Sequence, residues 1–193
     1  MAVKFLDVAG LKRKIPNFLS LLRVVLAVFF VLLVGRSDFF TAMLVFMLAA
    51  VTDFFDGYWA RKWRAVSLAG ALLDPFADKV LMISAYGILA TTAQVPLYVA
   101  ATVIVRDLLI LAAVCLCALF SVRLEIRPLV SSKMNTTIQM IFVIIVVGCR
   151  CLSMTITSVE MLIGAGVVCL STIVSGADYL RKYYGIGNDI LNG

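Results

Sequence analysis

Six stretches of 16–26 mostly apolar residues follow one another along a chain of 193 residues. A bilayer core takes about 20 such residues per helix, with a range of about 17–25. Charge and turn signals cut the chain into spans at Phe18 to Gly35, Phe39 to Tyr58, Leu68 to Thr91, Val95 to Phe120, Lys133 to Gly148 and Thr157 to Leu180. The composition agrees: 63% of residues are apolar or aromatic and 15% charged, against about 45–50% and about 25% in a soluble domain. A soluble core of this size would need a polar shell that this chain lacks, and disorder is excluded by the same figures.

Short connections such as Gly35-Arg36-Ser37-Asp38 and Thr92-Ala93-Gln94 favour antiparallel neighbours. The fold class expected is therefore all-α and integral to the membrane. It has one polytopic domain over residues 1–193, six transmembrane helices, and residues 1–16 as a short N-terminal interfacial helix. That segment places Phe5, Val8 and Leu11 at helical spacing beside four basic residues, as a helix lying at the headgroups would. The first long apolar run begins after residue 17, contains Arg23 and is not followed by an A-x-A-like site. It is read as a span and not as a cleaved leader.

Lysine and arginine fix the orientation. With the N-terminus inside, the inner side carries Lys4, Lys12, Arg13, Lys14, Arg61, Lys62, Arg64, Arg123, Arg127, Lys133, Arg181 and Lys182, which is 12 of 17. The outer side has Arg36 and Arg150, while Arg23, Lys79 and Arg106 lie within spans. The positive-inside rule puts both termini in the cytoplasm. The net charge of +6 then reads as topology and attraction to anionic lipid, with no nucleic-acid partner expected.

There is no histidine, which removes imidazole bases and His-containing zinc sites. The five cysteines include no C-x-x-C pair and read as small apolar residues rather than a metal site or disulfide framework.

The informative residues are carboxylates where lipid should forbid them. Asp53, Asp56, Asp74, Asp78 and Asp107 lie inside or beside apolar spans, and each carboxylate near a bilayer centre costs at least about 2.5–3.5 kcal/mol. Four clustered Asp would exceed about 10 kcal/mol, comparable to the whole stability of a domain, so they must meet water, cations or both. Asp53 and Asp56 are three apart on the second span, Asp74 and Asp78 four apart on the third, so each pair shares a helix face. Both pairs lie toward the inner ends of consecutive antiparallel spans. Arg61 and Lys79 offset at most half of this charge, and hard oxygen ligands without His or Cys select Mg²⁺ or Mn²⁺, two of which would also bind a diphosphate. Gly57 and Ala60 leave room beside the pair for a planar ligand or a backbone. Arg61 offers a planar fork to phosphate oxygens. Gly70 stands one turn before Asp74, and Pro75 allows a locally open backbone.

The run Asp53-Phe-Phe-Asp56-Gly57-Tyr-Trp-Ala60-Arg61, eight residues, Gly70, three residues, Asp74, three residues and Asp78 resembles the signature of the CDP-alcohol phosphatidyltransferases at all eight fixed positions. The likeness extends from Ile15-Pro16-Asn17 and Arg23 through Arg106-Asp107 to Lys133-Met134-Asn135-Thr136. It implies a six-helix membrane enzyme of phospholipid biosynthesis, usually dimeric, that moves a phosphatidyl group from CDP-diacylglycerol to an alcohol and releases CMP. It further implies that Asp53, Asp56, Asp74 and Asp78 hold a metal pair and that Asp78 is the catalytic base. Asp53, Gly57, Ala60, Arg61 and Gly70 then form the nucleotide side of the site. The expected location is a bacterial inner membrane, with the site facing the cytoplasm.

The acceptor stays open. Arg106, Arg127 and Lys133 are the candidates for an acceptor-phosphate pocket. The Arg106-Asp107 dipeptide and the Ser132 to Thr136 run look more like the cardiolipin synthases of the family, which use phosphatidylglycerol, while size and the opening segment suit glycerol-3-phosphate equally. Inositol phosphate, serine and choline stand behind these. Outside the family, an intramembrane prenyltransferase would carry differently spaced Asp clusters, and a cation transporter would show inverted repeats and midplane polar residues on several spans.

Overall fold

The computed structural model describes residues 8–63, 68–119 and 130–191, with side chains at 18, 20–52, 76, 79–112, 130–179 and 181. These residues form six helices: α1 (Val8–Gly35), α2 (Phe39–Trp63), α3 (Leu68–Thr91), α4 (Leu97–Leu119), α5 (Val130–Cys151) and α6 (Ser158–Leu191). Each expected span has its helix, and the third matches at both ends.

Four helices outlast their apolar runs. Helix α1 begins ten residues before Phe18, α2 ends five after Tyr58, α5 runs three residues past each end of Lys133 to Gly148, and α6 ends eleven after Leu180. Hydropathy marks where lipid contact stops, whereas the hydrogen-bond ladder continues through any sequence of adequate helix propensity. The Lys- and Arg-bearing extensions here have it. Of the interfacial segment expected over residues 1–16, residues 1–7 lie outside the described residues, while residues 8–16 are continuous with α1, which passes Pro16 without a break. Proline removes one N–H from the ladder, and the turns on either side carry the helix through that loss.

The opposite ends of α1, α3 and α5 stop sharply, by one device used three times. Ser37, Ala93 and Ser153 adopt positive φ of 62°, 55° and 55°. The amide after each donates to the carbonyl five residues earlier: Asp38 to Leu33 at 3.0 Å, Gln94 to Leu89 at 2.8 Å and Met154 to Cys149 at 2.7 Å. Their own amides donate to Val34, Ala90 and Arg150, which completes a Schellman cap at each end. The next helix then starts on a side-chain cap. Asp38 accepts from the Thr41 amide at 3.1 Å, and Thr157 and Glu160 form a reciprocal capping box, each accepting from the other's amide.

Packing divides the chain into two compact units, residues 1–88 and 89–193. In the first, α1 lies on α2. Ala27, Phe30 and Val34 at helical spacing are buried, as are Ala42, Phe46 and Ala49, and the Phe30 and Phe46 rings meet at 5.2 Å between centroids, tilted by 48°. In the second, α6 packs against both α4 and α5. Helices α5 and α6 pack tightly at Gly164, where a Cβ would stand 2.6 Å from the Phe142 ring.

The outward faces are apolar. Phe18, Leu109, Leu162 and Leu170 are each about two-thirds exposed, far more apolar surface than a protein in water presents. Among the described residues, Val130–Cys151 and Ser158–Tyr179 are long and apolar enough to cross a membrane, and Ser20–Gly35, Phe39–Thr52 and Lys79–Thr91 form shorter apolar helices.

Candidate active site

The positions of the Asp signature are set by helix register. The backbone is helical through residues 53–61 of α2 and 68–78 of α3, so the three- and four-residue spacings do place each Asp pair on one helix face. The side chains of Asp53, Asp56, Gly57, Ala60, Arg61, Gly70, Asp74 and Asp78 lie outside the described residues. Depth follows from the helix ends at 1.5 Å per residue. Asp53 is ten residues before Trp63 and Asp78 ten after Leu68, about 15 Å along each axis. Asp56 and Asp74, seven and six residues in, come at about 10 Å, and Arg61 and Gly70 at about 3 Å. Only four residues join the helices, so Trp63 and Leu68 stand no more than roughly 18 Å apart. The four Asp positions therefore fall at similar distances along the backbone from the two joined helix ends, with Arg61 and Gly70 near those ends.

That donor set is fit for a hard divalent cation, because four carboxylates supply oxygen alone, the ligand type that Mg²⁺ and Mn²⁺ take. No group of three or more metal-ligating side chains occurs among the described residues, and these four stand outside them.

A second polar cluster lies within the unit of α4, α5 and α6. Arg106 is only 5% exposed and Asp107 not at all. The Arg106 guanidinium donates through Nη1 to Asp107 Oδ1 at 2.7 Å and through Nη2 to Ser132 Oγ on α5 at 2.8 Å and to Ser175 Oγ on α6. It also sits over the Tyr179 ring, 6.0 Å from the centroid. Neighbours one residue apart on a helix do not normally face each other. The length of the arginine side chain is what lets it fold back to Asp107 while still reaching two other helices.

One turn along, Asn135 Oδ1 accepts from Ser171 Oγ at 2.8 Å and from Thr172 Oγ1 at 3.1 Å, and Gln139 Nε2 donates to Thr172 Oγ1 at 3.1 Å. In an apolar surrounding these bonds fix the rotation of α5 against α6, since each polar group has few other partners to choose from. Among the described residues, Arg106 Nε, Ser131 Oγ and Asn135 Nδ2 are buried without a hydrogen-bond partner. All three belong to Arg106 or to the start of α5.

The three acceptor-phosphate candidates thus part company. Arg106 is engaged inside the protein by most of its donors, Lys133 is exposed at the start of α5 beside Ser132, and Arg127 lies outside the described residues. Sequence reasoning missed Gln139, Ser171, Thr172 and Ser175. Their signal was available: small or amide side chains three to four residues apart within otherwise apolar runs, the pattern of polar glue between membrane helices.

Comparison with known proteins adds the following. Residues 13–172 match the CDP-alcohol phosphatidyltransferase family. The chain is 42% identical over 134 residues to the CDP-diacylglycerol–glycerol-3-phosphate 3-phosphatidyltransferase of Escherichia coli K12, covering 66% of this chain and 72% of that protein. The Shigella flexneri enzyme of the same name matches equally. The enzyme of that name from Haemophilus influenzae is 47% identical over 78 residues, which are 39% of this chain and 42% of the relative. The alignment thus spans less than half of the Haemophilus protein.

Proposed function

Because the chain belongs to the CDP-alcohol phosphatidyltransferase family, matching it over residues 13–172, we propose that it moves the phosphatidyl group of CDP-diacylglycerol to glycerol-3-phosphate, releasing CMP. The observation that carries this reading is the eight-position Asp signature on α2 and α3. The names of the Escherichia, Shigella and Haemophilus relatives supply the acceptor. Asp107 serves Arg106 as a buried counter-ion, which by itself favours neither acceptor.

In this reading Asp53, Asp56, Asp74 and Asp78 hold two Mg²⁺ or Mn²⁺ ions, in a family generally dependent on divalent metal. Bound there, the ions neutralise the diphosphate and stabilise the CMP leaving group. Asp78 takes the proton of the acceptor hydroxyl. The hydroxyl oxygen bonds to the phosphatidyl phosphorus while the bond to CMP breaks, and its electron pair departs on the CMP phosphate. Arg61 binds the nucleotide phosphates bidentately, and Gly57, Ala60 and Gly70 leave space for the cytidine. Lys133 and Arg127 meet the acceptor phosphate. Arg106 is a positioning residue: it anchors Ser132, and with it the turn that carries Lys133.

The reading extends to the setting. Residues 1–193 act as one domain with six spans, both termini and the site face the cytoplasm across a bacterial inner membrane, and the enzyme works as a homodimer. The 12 inward basic residues support the orientation, and the shorter apolar helices support the added spans. The test offers purified protein CDP-diacylglycerol with glycerol-3-phosphate and phosphatidylglycerol together. Phosphatidylglycerophosphate and acceptor-dependent CMP are expected by mass spectrometry. Cardiolipin as the main product would overturn the acceptor, and CMP release indifferent to both would overturn the reaction.

A further inference from the structure

A cavity of about 600 Å³ opens between α4 and α6, lined by Ala101, Thr102, Val105, Arg106, Leu109 and Ile110 on one side and by Thr172, Ile173, Gly176, Ala177 and Tyr179 on the other. Its size is that of a ligand site. Its lining is mostly apolar. Thr102 Oγ1 donates to its own helix at Tyr98 O, 2.7 Å, and the Thr172 hydroxyl is spent on Asn135 and Gln139, so both threonines offer the cavity little but methyl. Both terminal nitrogens of Arg106 donate to protein oxygens, and its Nε, without a hydrogen-bond partner, is buried. Val105, Leu109 and Ile173, at its rim, are exposed apolar side chains, so the groove opens on the surface that lipid covers. Its floor is bare at Gly176, where a Cβ would meet nothing within 4 Å.

One end of the groove carries charge. Arg181 is exposed one helical turn beyond Ala177, at the end of the candidate span Ser158–Tyr179, the level at which basic side chains meet lipid phosphates. We propose that the α4–α6 groove seats one acyl chain of an anionic bilayer phospholipid whose phosphate lies at Arg181. Along α4 the groove runs from Ala101 to Ile110, ten residues or about 13 Å, enough for much of an acyl chain within one leaflet. This inference is independent of the reaction proposed above, since it uses no residue of the Asp signature.

The experiment reconstitutes the full chain in nanodiscs containing phosphatidylglycerol or phosphatidylcholine that carries a diazirine on one acyl chain. After photolysis, labelled peptides are mapped by mass spectrometry. Labelling concentrated on residues 101–110 and 172–179, and stronger with phosphatidylglycerol, is expected. Arg181→Gln should lower that preference about fivefold, the ratio equivalent to about 1 kcal/mol per basic residue at a lipid surface, without abolishing labelling by phosphatidylcholine. Gly176→Phe fills the floor and should remove most labelling there while other lipid-facing peptides keep theirs; Val105→Trp fills the same groove from α4 and serves if the first variant does not fold. Even labelling of every outward helix, unchanged by either filler, would overturn the proposal. So would spontaneous disulfide formation between two copies of Ile173→Cys, which would show a second chain covering the groove.

Discussion

Asp107→Ala is the substitution whose cost the structure sets most directly. The variant leaves the Arg106 guanidinium, 5% exposed, without its counter-ion. At the observed 2.7 Å the attraction is about 6 kcal/mol at an effective dielectric of about 20. The aspartate's own desolvation, several kcal/mol, is recovered on its removal, but the arginine's is not, and the net loss expected for breaking such a pair is about 3–5 kcal/mol. Replacing both residues, Arg106→Met with Asp107→Leu, removes both desolvation costs, while Ser132 and Ser175 can turn their hydroxyls to carbonyls of their own helices. The double variant should therefore lose less than either charge-breaking single, Asp107→Ala or Arg106→Met, with a coupling of at least about 2 kcal/mol. Equilibrium unfolding in mixed micelles, followed by far-ultraviolet circular dichroism, measures all three. Costs that simply add, or a loss below about 1 kcal/mol for Asp107→Ala, would refute the view that this pair acts as a mutually compensating buried unit.

Three further outcomes are expected. Gly164→Leu forces side-chain atoms beyond the Cβ that already stands 2.6 Å from the Phe142 ring, and should destabilise the chain by about 1–3 kcal/mol in the same assay, with Phe142→Ala in the same chain relieving part of the loss. Ala93→Gly, at φ 55°, removes a left-handed strain of about 1–2 kcal/mol against a chain-entropy cost of about 0.5–1 kcal/mol, so the unfolding midpoint should rise slightly. Asp78→Asn should lower acceptor-dependent CMP release by about 10²–10⁴, the contribution of a general base, while equilibrium dialysis still shows CDP-diacylglycerol bound; unaltered turnover would refute its role as base.

What could be read from the sequence followed from patterns that are local along the chain. The six helices were legible because each is announced by a run of apolar residues about as long as a bilayer is thick, and the Asp pairs because spacing of three and four decides which residues share a helix face. Helix ends were less so. Nothing in the hydropathy of Arg181-Lys182 shows that the ladder runs on to Leu191, and Pro16 looked like a boundary although α1 passes it. The Schellman caps at Ser37, Ala93 and Ser153 were hidden for another reason: glycine is the usual mark of that turn, and none of these positions carries it.

Arg106 shows the limit most plainly. From sequence, an arginine beside an aspartate within an apolar span was either a ligand for a substrate phosphate or a paired residue. The choice required knowing that Ser132, 26 residues away, and Ser175, 69 residues away, stand within its reach. The chain by itself determined the apolar setting, the helices and the register of the Asp pairs on two tethered helices, because these depend on composition and on register within one element. Only the tertiary structure decided that Arg106 holds three helices together, that Asn135 and Gln139 lock α5 to α6, and that Gly176 floors an open groove. Those facts depend on the rotation and closeness of separate helices, which packing sets and no spacing along the chain encodes.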